Sequence, residues 1–234
     1  MTNILTKVMS KLDEETMDEF KRRDIQGRKL MAPEAEYQAR VCLLGIVLHD
    51  ITSERIQSGQ YDLALESCKL LTKVCPKLAE AYRDMGIIYV RMHAYGCAEQ
   101  AFYKAHTLSP DEDVYLNDYF VCMANLNKYQ EIHDEGRKLH KKYPDMRAPM
   151  HWIGVALASL NEVEQAIRWF KKAIVANDED NAARIGLAEA YIKLGKYDHA
   201  SCECADALQE EPTNTKALEL LAKSNFGKGE LGLA

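Results

Sequence analysis

Three aspartates recur at a fixed interval in the first half of the chain. Asp50, Asp84 and Asp118 are 34 residues apart, so a structure that repeats with this period presents them as a ladder on one face. A ladder of carboxylates can contact the basic side chains of a bound segment. It can equally keep a surface hydrated, or pair with nearby arginines such as Arg83 and Arg91. The sequence leaves these interpretations open.

No motif for catalysis or for a cofactor accompanies the aspartates. The sequence contains no H-E-x-x-H, G-x-S-x-G or G-x-x-x-x-G-K-[ST]. Gly227, Gly229 and Gly232 have the spacing of a dinucleotide fingerprint, but they follow a predicted helix and leave no room for a βαβ unit. The acidic run 177–181 lacks the glycine and distal glutamate of a calcium loop, so we predict a turn that caps the next helix. We therefore expect a protein that is not an enzyme, with no metal and no cofactor.

A basic stretch of the chain surrounds two histidines. His133 and His140 are seven residues apart, and Arg137, Lys138 and the pair 141–142 lie among them. We interpret this stretch as a solvated helix face, because no partner ligands for a metal can be identified. The chain carries 30 Lys and Arg against 36 Asp and Glu, for a net charge of -6, so nucleic acid is not an expected partner.

Composition indicates a helical, cytoplasmic protein. Of the 234 residues 47% are hydrophobic, and 12 glycines with 6 prolines are few for an all-β chain. No apolar run approaches the roughly 18 residues of a membrane span, so no membrane insertion is expected. Seven cysteines without a framework spacing favour reduced thiols.

Four prolines mark an internal repeat. Pro76, Pro110 and Pro144 are 34 residues apart, and Pro212 lies two further periods on. If each proline occupies position 32, five repeats cover 45–214. They begin at Gly45, Ala79, Asp113, Arg147 and Asn181.

Apolar and small residues align when the repeats are superposed. Positions 7, 20 and 27 are predicted core positions, and positions 8 and 24 mostly hold small residues that let helices approach closely. Position 20 holds Ala64, Ala98, Ile132, Ala166 and Ala200. Each repeat reads as two helices joined by a break, such as 58–60 or 194–196. One such hairpin cannot bury its apolar face alone, so neighbouring hairpins must stack.

The pattern resembles the tetratricopeptide repeat family. The second repeat carries the family's signature residues, namely Tyr82, Gly86, Tyr89, Tyr95, Ala98, Phe102, Ala105 and Pro110. The resemblance implies an all-α fold, a right-handed superhelical solenoid of stacked helix-turn-helix hairpins with a concave groove. After the five repeats, 215–234 would form a partial sixth repeat or a capping helix, with Gly229 at the turn position.

The first 44 residues do not fit the repeat. A helix is predicted to open at Pro33, a favourable first helical position, and to run to about Ser58. We predict that 1–44 is either a helical cap that covers repeat one or an arm for docking or dimerisation.

The resemblance also implies which residues meet a ligand, because the first helix of each hairpin lines the groove in this family. The predicted peptide groove consists of His49, Asp50, Ser53, Arg83, Asp84, Ile87, Arg91, Asn117, Asp118, Val121, Asn125, His151, Trp152, Val155, Glu189 and Lys193. The Lys, Asn and Arg clamp by which one subgroup binds acidic chaperone tails is missing. The aspartates favour basic segments, although Arg83, Arg91 and Lys193 reduce this preference.

Two functions from different classes fit these observations. The first is a non-enzymatic adaptor that binds a protein or peptide segment in the groove. The alternative is a structural scaffold that self-associates, which the incomplete sixth repeat and the N-terminal segment favour.

Overall fold

The helices of the chain follow the predicted repeat closely. The computed structural model describes residue 9 and residues 12–27, 33–144, 146–178 and 180–231. These residues form twelve helices and no strand, which confirms the predicted all-α repeat solenoid. The helices are α1 (Glu14–Gly27), α2 (Pro33–Gln57), α3 (Tyr61–Val74), α4 (Ala79–Arg91), α5 (Tyr95–Leu108), α6 (Asp113–Asn125), α7 (Tyr129–Lys142), α8 (Arg147–Ser159), α9 (Val163–Ala176), α10 (Asn181–Lys193), α11 (Tyr197–Glu210) and α12 (Thr215–Leu231).

The chain divides into two units, which are described separately. Unit 1 is Met1–Cys122 and unit 2 is Met123–Ala234, with the division inside α6. In unit 1, α2 pairs with α3 and α4 pairs with α5. In unit 2, α8 pairs with α9 and α10 pairs with α11. The predicted opening of a helix at Pro33 is confirmed, and that helix ends at Gln57.

Each hairpin turns through one residue in the left-handed backbone region. This residue is position 15 of every repeat: Gly59, His93, Asn127, Asn161 and Gly195, with φ between 57° and 75°. The following N–H donates to the carbonyl five residues before it, as in Gln60 to Arg55 and Lys196 to Tyr191. This is the hydrogen bond of a Schellman C-cap, and it explains why glycine or asparagine occupies four of the five positions.

The predicted core positions are largely buried. All five residues at position 20 are fully buried, and those at position 27 are at most 8% exposed. At position 7, Ile51, Ile153 and Leu187 are buried, whereas Met85 and Tyr119 are only partly buried. Both of these nevertheless pack against buried clusters.

The N-terminal helix α1 packs on repeat one. Phe20 is 2% exposed and joins Leu48 and Ile51 in one apolar cluster. Asp13 caps α1 by accepting a hydrogen bond from the Thr16 N–H, and it also accepts one from the buried Arg55 side chain. These contacts support the interpretation as a cap, which stays a prediction, and the residues before Met9 lie outside the described part of the chain.

The last helix departs from the predicted repeat. Helix α12 continues through Gly229 to Leu231, so the expected turn at Gly229 is wrong. A Cβ added at Gly227 would lie 2.5 Å from the Tyr197 ring, so glycine at this position allows α12 to pack closely against α11. On the same helix Leu218 is 47% exposed and Phe226 is 70% exposed.

Candidate functional site

The three recurring aspartates lie on the first helices of the hairpins in unit 1. We call the surface that carries these three side chains the acidic face. Asp50 lies on α2, Asp84 on α4 and Asp118 on α6. Their environments differ, since the Asp50 side chain is 49% exposed whereas Asp84 is 17% exposed and Asp118 23%. The ladder predicted from spacing therefore consists of three chemically different carboxylates.

Asp84 is the most buried member of the acidic face. Burial raises the pKa of Asp84, although the nearby His49 and Arg83 oppose the rise. Its Oδ2 atom is buried and accepts no hydrogen bond, and the His49 Nε2 atom lies 3.8 Å away. Only the exposed 17% of the Asp84 side chain can therefore meet a ligand.

Asp118 is held by an arginine from the neighbouring helix. The Arg83 Nε donates to Asp118 Oδ2 at 2.5 Å, with the two side chains 38% and 23% exposed. The pair joins α4 to α6 and neutralises one carboxylate of the three. Of the three interpretations of the aspartates, pairing with an arginine is therefore the one that the structure shows for Asp118.

The other predicted residues of unit 1 surround these carboxylates. His49 Nδ1 lies 3.8 Å from Asp50 Oδ1. Arg91 and Asn117 are exposed, and Val121 is 41% exposed. Ser53 is half-buried, whereas Ile87 packs against the apolar cluster around Phe102.

In unit 2 the predicted residues form bonds among the helices. Lys193 on α10 donates to the Ala158 carbonyl at 2.9 Å, and Glu189 pairs with Lys216 at 2.8 Å. Asn125 is exposed and Val155 is half-buried. Lys193 therefore links α10 to α8, and Glu189 links α10 to α12.

His151 and Trp152 are more buried than residues of a ligand-contact surface. Trp152 is 8% exposed, so its indole offers little area to a ligand. The His151 ring lies 5.5 Å from the Trp152 ring and 6.0 Å from the Phe170 ring. Burial lowers the pKa of His151, against the effect of Asp180. Trp152 packs in the interior of unit 2, and His151 is half-buried beside it.

One residue near the acidic face was not predicted from the sequence. Tyr115 on α6 is 8% exposed, and burial together with a hydrogen bond to Glu80 raises its pKa to about 12. It thus ties the first turns of α4 and α6 together. Tyrosine and glutamate at positions 3 and 2 of successive repeats are the signal for this contact.

Chemistry other than binding has little support in the described residues. They contain no group of three or more His, Cys, Asp or Glu side chains that could hold a metal ion. Among them, no helix is long and apolar enough to cross a membrane. Cys68 and Cys204 are fully buried, and burial raises the pKa of Cys68 to about 12.

Comparison with known proteins gives a consistent result. Residues 157–224 match the tetratricopeptide repeat family. Over 170 residues, 70% of this chain, the sequence is 23% identical to the anaphase-promoting complex subunit CDC16 of Saccharomyces cerevisiae. The chain spans only 13–20% of the length of the first three curated relatives it matches.

Solved structures show the same fold. PilF of Pseudomonas aeruginosa superposes with a TM-score of 0.60 at 18% identity, covering 81% of this chain and 89% of PilF. YrrB, described as a tetratricopeptide repeat protein with an unusual peptide-binding site, superposes with a TM-score of 0.51 at 15% identity. That match covers 75% of this chain and 90% of YrrB. At these identities the likeness shows the fold alone.

Proposed function

We propose that the chain, which matches the tetratricopeptide repeat family over residues 157–224, is a non-enzymatic adaptor whose acidic face binds a protein segment containing basic residues. Proteins of this family generally mediate protein–protein interactions, and YrrB is a relative in fold described as having a peptide-binding site. The observation that carries the proposal is a pair of carboxylates on neighbouring first helices, Asp50 at 49% and Asp84 at 17% exposure, with His49 3.8 Å from each.

The roles of the three carboxylates differ in this proposal. Asp50 and Asp84 contact the basic side chains of the segment, and Asp118 stays paired with Arg83. Hydrogen bonds to charged groups contribute roughly 1.5–3 kcal/mol each. Asn117 on α6 binds the segment's backbone.

The alternative, a scaffold that self-associates, has one supporting observation. Phe226 and Leu218 expose apolar surface on α12, at 70% and 47%. Apolar side chains exposed together favour contact with another protein surface. Sedimentation of the chain at increasing concentration distinguishes the two functions, since only the scaffold forms larger assemblies without a ligand.

The test of the adaptor compares charge-neutral variants against a defined probe. The probe is a fluorescein-labelled synthetic peptide of alternating lysine and alanine, with a glutamate-for-lysine peptide as its control. We expect Asp50→Asn with Asp84→Asn to weaken binding by roughly tenfold or more. Binding should also weaken as ionic strength rises, because exposed charges are screened by salt.

Two matched variants control for a general loss of negative charge. Asp118→Asn removes a carboxylate that Arg83 already neutralises, and Glu66→Gln removes an exposed charge from the second helix α3. Both should bind the lysine peptide nearly as the native chain does. Equal affinity of all variants, or equal binding of the glutamate peptide, would refute the proposal.

A further inference from the structure

Two adjoining cavities lie between α7 and α9 in unit 2, and His140 lines both. The larger cavity, about 570 Å³, is lined by Arg168, Lys171 and Lys172 together with apolar side chains. The smaller cavity, about 370 Å³, is lined by Arg137, Lys138 and Lys141 around Trp169. We call the two cavities together the basic surface.

The positive charge of the basic surface is mostly uncompensated. Six Lys and Arg side chains line the cavities, and none of the described lining residues is acidic. Lys138 pairs with Glu135 at 3.3 Å, and Lys171 lies near Glu203. Within the described part of the chain, the other four cations, Arg137, Lys141, Arg168 and Lys172, form no ion pair.

The pKa of His140, which lines both cavities, is affected by this positive potential. Burial lowers the pKa of His140, and the charges of Lys172 and Arg137 lower it further. Its Nδ1 atom is buried without a hydrogen bond. The cations therefore act together on one point between the cavities, in a chain whose overall charge is negative.

The geometry of Trp169 argues against a platform for nucleic-acid bases. The His140 ring meets it at 5.1 Å with an interplanar angle of 85°, and Lys172 Nζ lies 4.2 Å from its ring centroid. Side chains of the protein thus already contact the indole, whereas single-stranded nucleic acid is bound by stacking on open aromatic rings.

The larger cavity combines its cations with apolar side chains. Pro144, Met150 and Val175 line it beside Arg168, and Val175 is 89% exposed. An arginine can bind a carboxylate through two parallel hydrogen bonds, and exposed apolar side chains gain by covering an apolar group. Lining of both kinds fits a ligand that is acidic and partly apolar.

We propose that the basic surface binds an acidic peptide segment that carries an apolar side chain. The carboxylates of the segment bind Arg168, Lys172 and Arg137, and its apolar side chain packs on the exposed Pro144 and Val175. The cations of this site lie on second helices of the hairpins, whereas the adaptor's acidic face lies on first helices and selects the opposite charge. It stands independently of the proposed function above.

The test uses a fluorescein-labelled synthetic peptide of glutamates flanking one leucine. Arg168→Gln with Lys172→Gln should weaken its binding by roughly tenfold or more. Val175→Ser should weaken it by a smaller factor, about two- to fivefold, because one exposed apolar contact is lost. The matched control is Lys196→Gln with Lys223→Gln, which removes the same charge from exposed positions elsewhere in unit 2.

The comparison ligands decide between occupants. A peptide with serine in place of leucine should bind more weakly than the leucine peptide, and a single-stranded RNA of equal charge should not displace it. Unchanged binding by the double variant would overturn the proposal, as would equal binding of the serine peptide. Displacement by the RNA, or self-association that the double variant abolishes, would assign the surface to nucleic acid or to a second copy and also overturn it.

Discussion

The packing of Phe170 predicts that the effect of Gly186→Ala on the unfolding free energy reverses its sign when Phe170 is replaced by leucine. Phe170 on α9 is 1% exposed and lies between two glycines of neighbouring first helices. A Cβ added at Gly186 would lie 2.6 Å from the ring, and one added at Gly154 would lie 2.8 Å from it. The ring cannot retreat from one helix without approaching the other, because protein interiors are close-packed.

Two opposing effects set the magnitude for Gly186→Ala. Replacing glycine by alanine inside a helix gains about 0.8–1 kcal/mol of propensity. Overpacking a filled core costs typically 1–3 kcal/mol. In the native background we therefore expect a net loss of about 1 kcal/mol of unfolding free energy. In a Phe170→Leu background the ring is gone, so Gly186→Ala should stabilise the protein, with a coupling energy of about 0.5–3 kcal/mol.

Tryptophan fluorescence during urea unfolding measures this effect locally. Trp152 and Trp169 are the two tryptophans of the chain, and both lie in unit 2. With a urea dependence of about 1–3 kcal/mol/M, a loss of about 1 kcal/mol lowers the midpoint by roughly 0.3–1 M. Gly229→Ala is the control, because a Cβ there meets nothing within 4 Å. If Gly186→Ala raises the midpoint in both backgrounds, the ring yields easily and the reasoning is wrong.

Two further predictions concern local structure in unit 1. Burial alone would raise the pKa of Asp13, but hydrogen bonds from Thr16 and Arg55 hold it below the usual 3.8. The Asp13 carboxylate therefore stabilises the fold fully above pH 3.8, and this stabilisation is lost as the pH falls through the folded-state pKa. The urea midpoints of the native chain and Asp13→Asn should differ at neutral pH and converge in acid. His93 has φ 57°, where glycine avoids the steric cost that a side chain carries. His93→Gly should therefore raise the unfolding free energy by roughly 0.5–1 kcal/mol, measured by thermal melting. Met92→Gly is the control and should lower it, because Met92 has φ -87°. Midpoints that differ equally at every pH, or a His93→Gly melt at or below the native one, would contradict these two expectations.

The repeat frame could be predicted because it follows from spacing alone. Prolines at one interval gave the register, and the register placed a left-handed residue at the same position of every hairpin. Burial at position 20 followed because a repeated packing position must be apolar in each copy. Position 7 was less predictable, since Met85 and Tyr119 reach the core with only part of each side chain.

The candidate site was less predictable because partner choice depends on rotamers and depth. Arg83 and Asp118 both occupy predicted groove positions, and only the packed structure shows that one neutralises the other. Trp152 shares a position with Asp50, Asp84 and Asp118 in the repeat, yet it is buried. A repeat position therefore indicates a helix face, whereas the size and polarity of the side chain determine whether it reaches solvent.

The basic surface shows how periodicity and composition convey different information. Arg137 and Lys171 are 34 residues apart, as are Lys138 and Lys172, so the repeat that aligns the aspartates also aligns these cations on α7 and α9. A net charge of -6 conceals them, because it averages over all faces of the chain. In a stacked array, charges at one repeat position add whenever their neighbours leave them unpaired. Comparing charge position by position therefore predicts binding surfaces that the total charge of the chain does not.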